Sequence, residues 1–261
     1  MIYLKEIIEN RRKEILEEKK EGAFEKLEEI AQQRVEYIDF GSMLSRDSDR
    51  VKIIAELKKA SPSKGVIRED FKPVELAQAC VKGGADALSV LTEKKFFQGN
   101  IEYIKEIKKN NIHVPILCKD FIIDKFQIMQ AAAYGADAIL LIAAVLTDEE
   151  MESLYEFSKK TGLYPVIEVY TLEELDRVLH FENAAIQINN RNLKTFEVDL
   201  KNTEKLINHV PAGRKVIAAS GIKNRKDIEY SKEFGADAVL IGELFMKAPD
   251  VESAFKELIK K

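Results

Sequence analysis

From residue 51 onward, short runs of aliphatic and β-branched residues alternate with longer amphipathic ones, and the alternation repeats eight times. The short runs at 51–58, 87–92, 115–120, 138–143, 165–170, 185–190, 215–220 and 238–242 have strand length and apolar centres. Between them lie helical segments such as 73–82, 101–109, 148–160, 171–180 and 224–234, several of which open on Asp, Thr, Asn or Pro, residues that start helices. Eight strand–helix units in succession predict an α/β chain folded as a single (β/α)8 TIM barrel over residues 51–261, closed by a parallel sheet.

The tetrapeptide Gly-Ala-Asp-Ala recurs at 84–87, 135–138 and 235–238, each time where a helix should hand over to a strand. Gly can end a helix in the left-handed region, and the small Ala lets the next strand begin close beneath it. Residues 1–50 stand outside the eight units. Leu4, Ile7, Ile8, Arg11, Ile15 and Leu16 trace a helical stripe in a charged segment, which predicts an N-terminal helical extension packed on the barrel, with its charges on a solvated face. It could lie across the barrel mouth or bind another subunit, and the stretch up to Asp49 could cover part of the barrel.

Composition then narrows the function. Forty-one Lys and Arg against 45 Asp and Glu leave a net charge of −4, which offers no general attraction for a phosphate polymer and argues against nucleic acid. The longest apolar run, 138–146, is too short to span a membrane, and Met1 opens no signal-peptide pattern, so a cytoplasmic location is expected. Cys80 and Cys118 stand apart from any metal-binding or disulfide pattern and read as buried thiols. Only His113, His180 and His209 are present, and acid–base chemistry is expected to fall to Lys, Glu, Asp or Tyr.

In such a barrel the chemistry sits at the C-terminal strand ends, and period-two alternation sorts the candidates by face. Ile54, Glu56 and Lys58 share one face of the first strand; Leu117, Lys119 and Phe121 of the third; Val166, Glu168 and Tyr170 of the fifth; Gln187, Asn189 and Arg191 of the sixth. A single buried charge pair is ordinarily structural, but Glu56, Lys58, Lys119 and Glu168 converge from three strands at one end, which points to function. Ser220-Gly221 and Gly242-Glu243 close the seventh and eighth strands, where bare backbone N–H groups can cradle a phosphate and a side chain would fill the anion's space.

Several ordered motifs are similar to those of the indole-3-glycerol phosphate synthase family of tryptophan biosynthesis: the run at 54–65 holding Glu56, Lys58 and Ser61-Pro62-Ser63; Ser89-Val90-Leu91-Thr92; Phe96-Phe97-Gln98-Gly99; Lys119-Asp120-Phe121-Ile122; Ile188-Asn189-Asn190-Arg191; and Ser220-Gly221-Ile222. The resemblance spans nearly the whole chain. It implies a lyase working without a cofactor or metal on 1-(o-carboxyphenylamino)-1-deoxyribulose 5-phosphate, by ring closure, decarboxylation and dehydration. By motif, Lys119 is implied as the general acid, Glu168 as the base in dehydration, Lys58 as a second cation and Glu56 as the residue that orients Lys119. Asn189 is implied to hold a substrate hydroxyl, with Arg191 in the same motif. Ser61, Phe121, Ser220, Gly221, Gly242 and Glu243 are implied in substrate or phosphate binding. A small phosphorylated molecule is the implied partner, and the chain is expected to be a monomer or weak oligomer, with association with other tryptophan-pathway enzymes left open.

The pattern departs from the family at three places. Ala219 stands where the family has Glu, Gln187 where it commonly has Gly, and Leu244-Phe245 where Ser-Leu is frequent. Without a carboxylate at 219, Lys58 is expected to lose an ion-pair partner and catalysis to slow. A catalytically impaired or re-engineered barrel serving as a phosphate-binding scaffold is therefore the alternative, supported by Ala219. Sibling barrels such as phosphoribosylanthranilate isomerase or ribulose-phosphate epimerase fit the Glu56/Lys58 strand and its Ser61-Pro62-Ser63 loop poorly.

Overall fold

A computed structural model of the chain describes residues 2–34, 36–45, 50–192 and 195–260. Eight parallel strands close into a barrel: β1 (Lys52–Leu57), β2 (Ala87–Leu91), β3 (Ile116–Lys119), β4 (Ala138–Ile142), β5 (Tyr164–Val169), β6 (Ala185–Asn189), β7 (Val216–Ala219) and β8 (Ala238–Ile241). Each pairs with its sequence neighbour, and β1 pairs with β8 in the register Lys52↔Ala238 through Ala55↔Ile241. A two-stranded hairpin, Ala60–Ser61 with Gly65–Val66, follows β1 and was not foreseen from the sequence, because two-residue strands carry no periodicity.

Inside the barrel, Ile54, Ala87, Leu117, Leu140, Val166, Ala185, Ile217 and Leu240 form one buried cluster, while the outward residues pack under the surrounding helices. The alternation therefore sorts the faces as expected, and on β1, β3, β5 and β6 the inward residue one period further on is polar. Of the helices, α4 (Pro73–Gly83), α5 (Glu102–Lys109), α6 (Lys125–Tyr134), α7 (Asp148–Lys160), α8 (Leu172–Val178), α9 (Lys201–Ile207), α10 (Arg225–Glu233) and α12 (Val251–Ile259) surround the barrel, and the short α11 (Glu243–Lys247) follows β8. Thr147, Thr171 and Asn224 each close a capping box at the start of α7, α8 and α10.

The three Gly-Ala-Asp-Ala turns do more than turn the chain. Gly84, Gly135 and Gly235 take φ of +115°, +97° and +101°, which ends the preceding helix. Each Asp then makes a reciprocal pair with the strand before it: Asp86 with Ile53, Asp137 with Ile116 and Asp237 with Val216. The Asp N–H donates to that residue's carbonyl, and its carboxylate accepts from the same residue's N–H at 2.8 Å. These clamps join the lower ends of β1 and β2, β3 and β4, and β7 and β8.

The N-terminal segment forms three helices rather than the one expected: α1 (Ile2–Glu18), α2 (Ala23–Gln32) and α3 (Phe40–Met43). Helix α3 plugs the bottom of the barrel, where Phe40 and Leu44 join the interior cluster and Phe40 stacks on Tyr164 with centroids 6.0 Å apart. Helix α2 packs on α6, and residues 46–49 lie outside the described residues. Helix α1 buries Ile7, Arg11 and Ile15, but Leu16, placed on the same stripe from sequence, is 73% exposed. The charges of α1 are also not all solvated. Arg11 is 4% exposed and pairs with Asp120 and with Glu14, whose oxygen lies 2.6 Å away; Lys19 reaches Asp124, and Glu18 reaches Lys94. Burial pulls the Arg11 pKa down, but the adjacent carboxylates of Asp120 and Glu14 outweigh it and hold the guanidinium more firmly charged than usual.

Candidate active site

A cavity of about 680 Å³ opens at the C-terminal strand ends, floored by Leu140, Ile142, Ala219 and Leu240. Leu4 and Ile7 of α1 join its wall at the mouth, as do Phe97 and Phe121, whose rings lie 6.0 Å apart. Phe97 is held by its loop: the buried Glu93 carboxylate accepts the N–H groups of Phe96 and Phe97 at 2.7 and 2.8 Å. Burial pushes the Glu93 carboxyl up, and those N–H bonds offset only part of the rise.

Two carboxylate–lysine pairs face the cavity. On β5 and β3, Glu168 Oε2 lies 3.5 Å from Lys119 Nζ. Glu168 also accepts from Gln187 Nε2 at 2.5 Å and from Asn189 Nδ2 at 3.0 Å, so β6 supplies two neutral donors. Asn189 is held in turn, its Oδ1 accepting from Arg191 N at 3.0 Å and its carbonyl from Asn202 at 3.0 Å. Beyond the end of β1, Lys58 hydrogen-bonds the buried Glu56 carboxylate. Burial pushes the Glu56 carboxyl up, but the positive charges of Lys58, Lys119 and Arg191, together with the Lys58 hydrogen bond, overcome it and hold the group below its ordinary 4.5.

The β7–β8 side of the cavity, which adjoins the Glu56–Lys58 pair, is backbone and cations. Ser220 and Gly221 are consecutive left-handed residues, with φ of +68° and +89°, at the end of β7. Gly242 precedes α11, Ser61 borders the cavity from the hairpin after β1, and Lys64, Lys223 and Lys247 stand at the rim. Glu243 lies 2.6 Å from Lys247 and 3.9 Å from Lys64, and the hydrogen bond from Lys247 holds its carboxyl below the usual range. The Glu243 carboxylate is thus tied to the rim lysines. Among the described residues no group of three or more His, Cys, Asp or Glu side chains is arranged to hold a metal.

The model of one protein family, described as indole-3-glycerol phosphate synthase, matches residues 4–258. The chain belongs to the indole-3-glycerol phosphate synthase family. The synthase of that name from Acetivibrio thermocellus is 48% identical over 220 residues, covering 84% of each chain; that of Rippkaea orientalis is 47% identical over 226 residues, covering 84% of this chain and 77% of its own. Solved structures share the fold alone. The 3-hexulose-6-phosphate synthase of Salmonella typhimurium superposes with a TM-score of 0.64 at 15% identity, covering 80% of this chain and 96% of its own.

Against the family motifs, Glu56, Lys58, Ser61, Lys119, Phe121, Glu168, Asn189, Arg191, Ser220, Gly221, Gly242 and Glu243 all border one cavity. Tyr170 does not; it follows the end of β5, where its N–H donates to Glu174 at the start of α8. Three expectations need correction. Glu56 does not hold Lys119 directly: it hydrogen-bonds Lys58 and shares only an electrostatic attraction with Lys119, whose ion-pair partner is Glu168. Lys58 is consequently not left without a partner by Ala219. At the two glycines, an added Cβ would not enter the anion's space first: at Gly221 it would meet Val198 Cγ1 at 2.6 Å, and at Gly242 it would meet Glu56 Oε2 at 2.5 Å.

Among cavity residues, Leu4, Ile7, Phe97, Lys64, Lys223 and Lys247 were not singled out from sequence. Phe97 lay within a quoted motif, and Leu4 and Ile7 within the α1 stripe, while the lysines resembled any solvated charge. Both thiols are buried and pushed up to about 12 by that burial, and none of the three histidines borders the cavity.

Proposed function

We propose that the chain closes the indole ring of 1-(o-carboxyphenylamino)-1-deoxyribulose 5-phosphate, with loss of carbon dioxide and water, to give indole-3-glycerol phosphate. The observation that carries this reading is the facing of Lys119 and Glu168 at 3.5 Å beside a second lysine–carboxylate pair, in one cavity that a backbone cradle also borders. Ring closure turns a carbonyl oxygen into a hydroxyl, and Lys119, a cation at a strand end, is the group to protonate it. Lys58 stands where it can attract the substrate carboxylate before that group leaves as carbon dioxide. Dehydration then expels the hydroxyl as water, Lys58 supplying the proton it needs to leave, while one substrate proton goes to Glu168. Asn189, already tied to Glu168, would hold a substrate hydroxyl, and Arg191 adds positive charge to the same side. Phe97 and Phe121 offer an apolar surface suited to the aromatic ring.

The phosphate would sit on the N–H groups beside Gly221 and Gly242, near Ser61 and the rim lysines. The reaction as proposed needs no cofactor, since ring closure forms a carbon–carbon bond at a carbonyl, decarboxylation breaks the bond to the carboxylate and dehydration breaks a carbon–oxygen bond, all by proton transfers and without net oxidation or reduction. The chain would act in the cytoplasm as a monomer or weak oligomer, which is compatible with no helix among the described residues being long and apolar enough to cross a membrane. Ala219 favours a second reading, a slow or inactive barrel that retains the cradle, because a buried methyl borders the cavity where the family pattern has a carboxylate.

The test is Lys119→Met with indole fluorescence as the readout, which the chain does not obscure because it contains no Trp. A loss of ~10²-fold or more in kcat with the fold intact by circular dichroism is expected. Parent-level turnover in that variant would remove Lys119 from the reaction, and no product from the unmodified chain would favour the second reading.

A further inference from the structure

We propose that Gln187 is a positioning residue that locks the Glu168 carboxylate in its working orientation, a role the family pattern does not supply because Gly is common at this place. The proposal rests on Glu168 acting as the base. Gln187 is the register partner of Glu168 across β5 and β6, is fully buried, and lies one inward position below Asn189. Its inward neighbours in the barrel interior, Val166, Ala185 and Ile217, are apolar. An amide buried among them is unfavourable unless its hydrogen bonds are made.

Only half of that requirement is met. A carboxylate has no proton to offer here, so the amide nitrogen must face it, and Nε2 donates to Glu168 Oε2 at 2.5 Å. The same orientation leaves Gln187 Oε1 buried with no hydrogen-bond partner among the described residues. An unpaired buried carbonyl is destabilising, and a methionine of similar length would remove it. The position therefore holds a residue that serves Glu168 at the expense of the barrel's own stability.

Among the described residues, Glu168 Oε2 receives Gln187 and Lys119, while Oε1 receives Asn189 alone. With about two acceptor sites per oxygen, one site on Oε1 stays open for a substrate proton. When Lys119 turns toward the substrate carbonyl, Gln187 still holds Oε2, so the carboxylate does not rotate after it.

The experiment compares Gln187→Met, which keeps volume and removes the donor, with Gln187→Glu, which keeps volume and replaces the donor by a like charge. Gln187→Met is expected to lower kcat about tenfold with KM changed less than about twofold and a melting temperature no lower than the parent's. Gln187→Glu is expected to lower kcat further, through repulsion of Glu168. Parent kcat in Gln187→Met would overturn the proposal, and if that variant fails to fold, parent kcat in Gln187→Glu would do the same. Glu168→Gln separates the two levels. An inactive Glu168→Gln beside an unchanged Gln187→Met sinks the positioning role alone, whereas an active Glu168→Gln sinks the base and the positioning role together.

Discussion

Gly242→Ala tests how tightly the site is built against the end of β8. At φ −123° the position lies outside the left-handed region, so alanine is not excluded by the backbone, and the effect is one of space. The new Cβ would lie 2.5 Å from Glu56 Oε2, 3.2 Å from its Cδ and 3.0 Å from its Cβ. Reaching ordinary contact means withdrawing the carboxylate by roughly 0.6–0.9 Å, against a hydrogen bond to Lys58 and a buried surrounding. Overpacking of this kind costs about 1–3 kcal/mol. In a chain of this size that lowers the melting temperature by roughly 2–4 °C per kcal/mol.

Because the retreating group is the partner of Lys58, kcat should fall about tenfold or more, as displacement of a positioned group by nearly 1 Å does. Substrate affinity should change less, since alanine keeps the N–H proposed to meet the phosphate. Gly221→Ala is the complement. It combines left-handed strain of about 1–2 kcal/mol with contact at 2.6 Å to Val198, far from Glu56, and should raise KM more than it lowers kcat. Both are read by indole fluorescence and thermal melts. If Gly242→Ala melts and turns over like the parent, the close approach of β8 to Glu56 is wrong.

Ala219→Glu is expected to raise kcat and Gln187→Gly to lower it, with the double variant departing from the sum of the singles because both residues face inward on adjacent strands; additive effects in indole formation would refute the coupling. Among the described residues, Arg11→Met leaves Asp120 accepting from Thr92 Oγ1 at 2.6 Å and Phe121 N at 2.8 Å, and should cost about 3 kcal/mol, seen as a lower melting temperature. An unchanged melt would show that the α1 pair adds nothing. The Glu56 carboxyl is held below 4.5 in the folded chain, so its contribution to stability is present above that value and is lost as pH falls through the folded pKa. Melting temperatures of Glu56→Gln should therefore decline less than the parent's below pH 4.5, and parallel curves would contradict the assignment.

Strand order and inward faces were legible because period two survives in residues such as Ile54, Glu56 and Lys58, whatever surrounds them. Partners were not. The family motif implied that Glu56 orients Lys119, but Lys58, two positions further along the chain, takes the hydrogen bond. Gln187 looked like a volume change, since a one-dimensional pattern carries no sign that β5 brings a carboxylate alongside it. Phe40 opens a four-residue helix that Leu44 caps, too short to show a period, so the plug beneath the barrel could not be separated from loop. In the three Gly-Ala-Asp-Ala turns the glycine was understood and the aspartate was not, because its partner lies on the preceding strand, some 20 to 35 residues back in the chain.

Those aspartates have a consequence for how the chain could be cut and rejoined. Each ties a strand to the one that follows it, so β1–β2, β3–β4 and β7–β8 are stitched as hairpin-like modules at the end away from the chemistry, each enclosing its own helix. New termini opened between modules, for example in the segment joining β2 to β3, would leave every stitch covalently short. Termini opened within α4, α6 or α10 would turn a local stitch into a contact between distant parts of the chain, with a larger loop-closure entropy to overcome on folding. Circular permutants of the first kind should refold faster than those of the second while presenting the same cavity at the other rim.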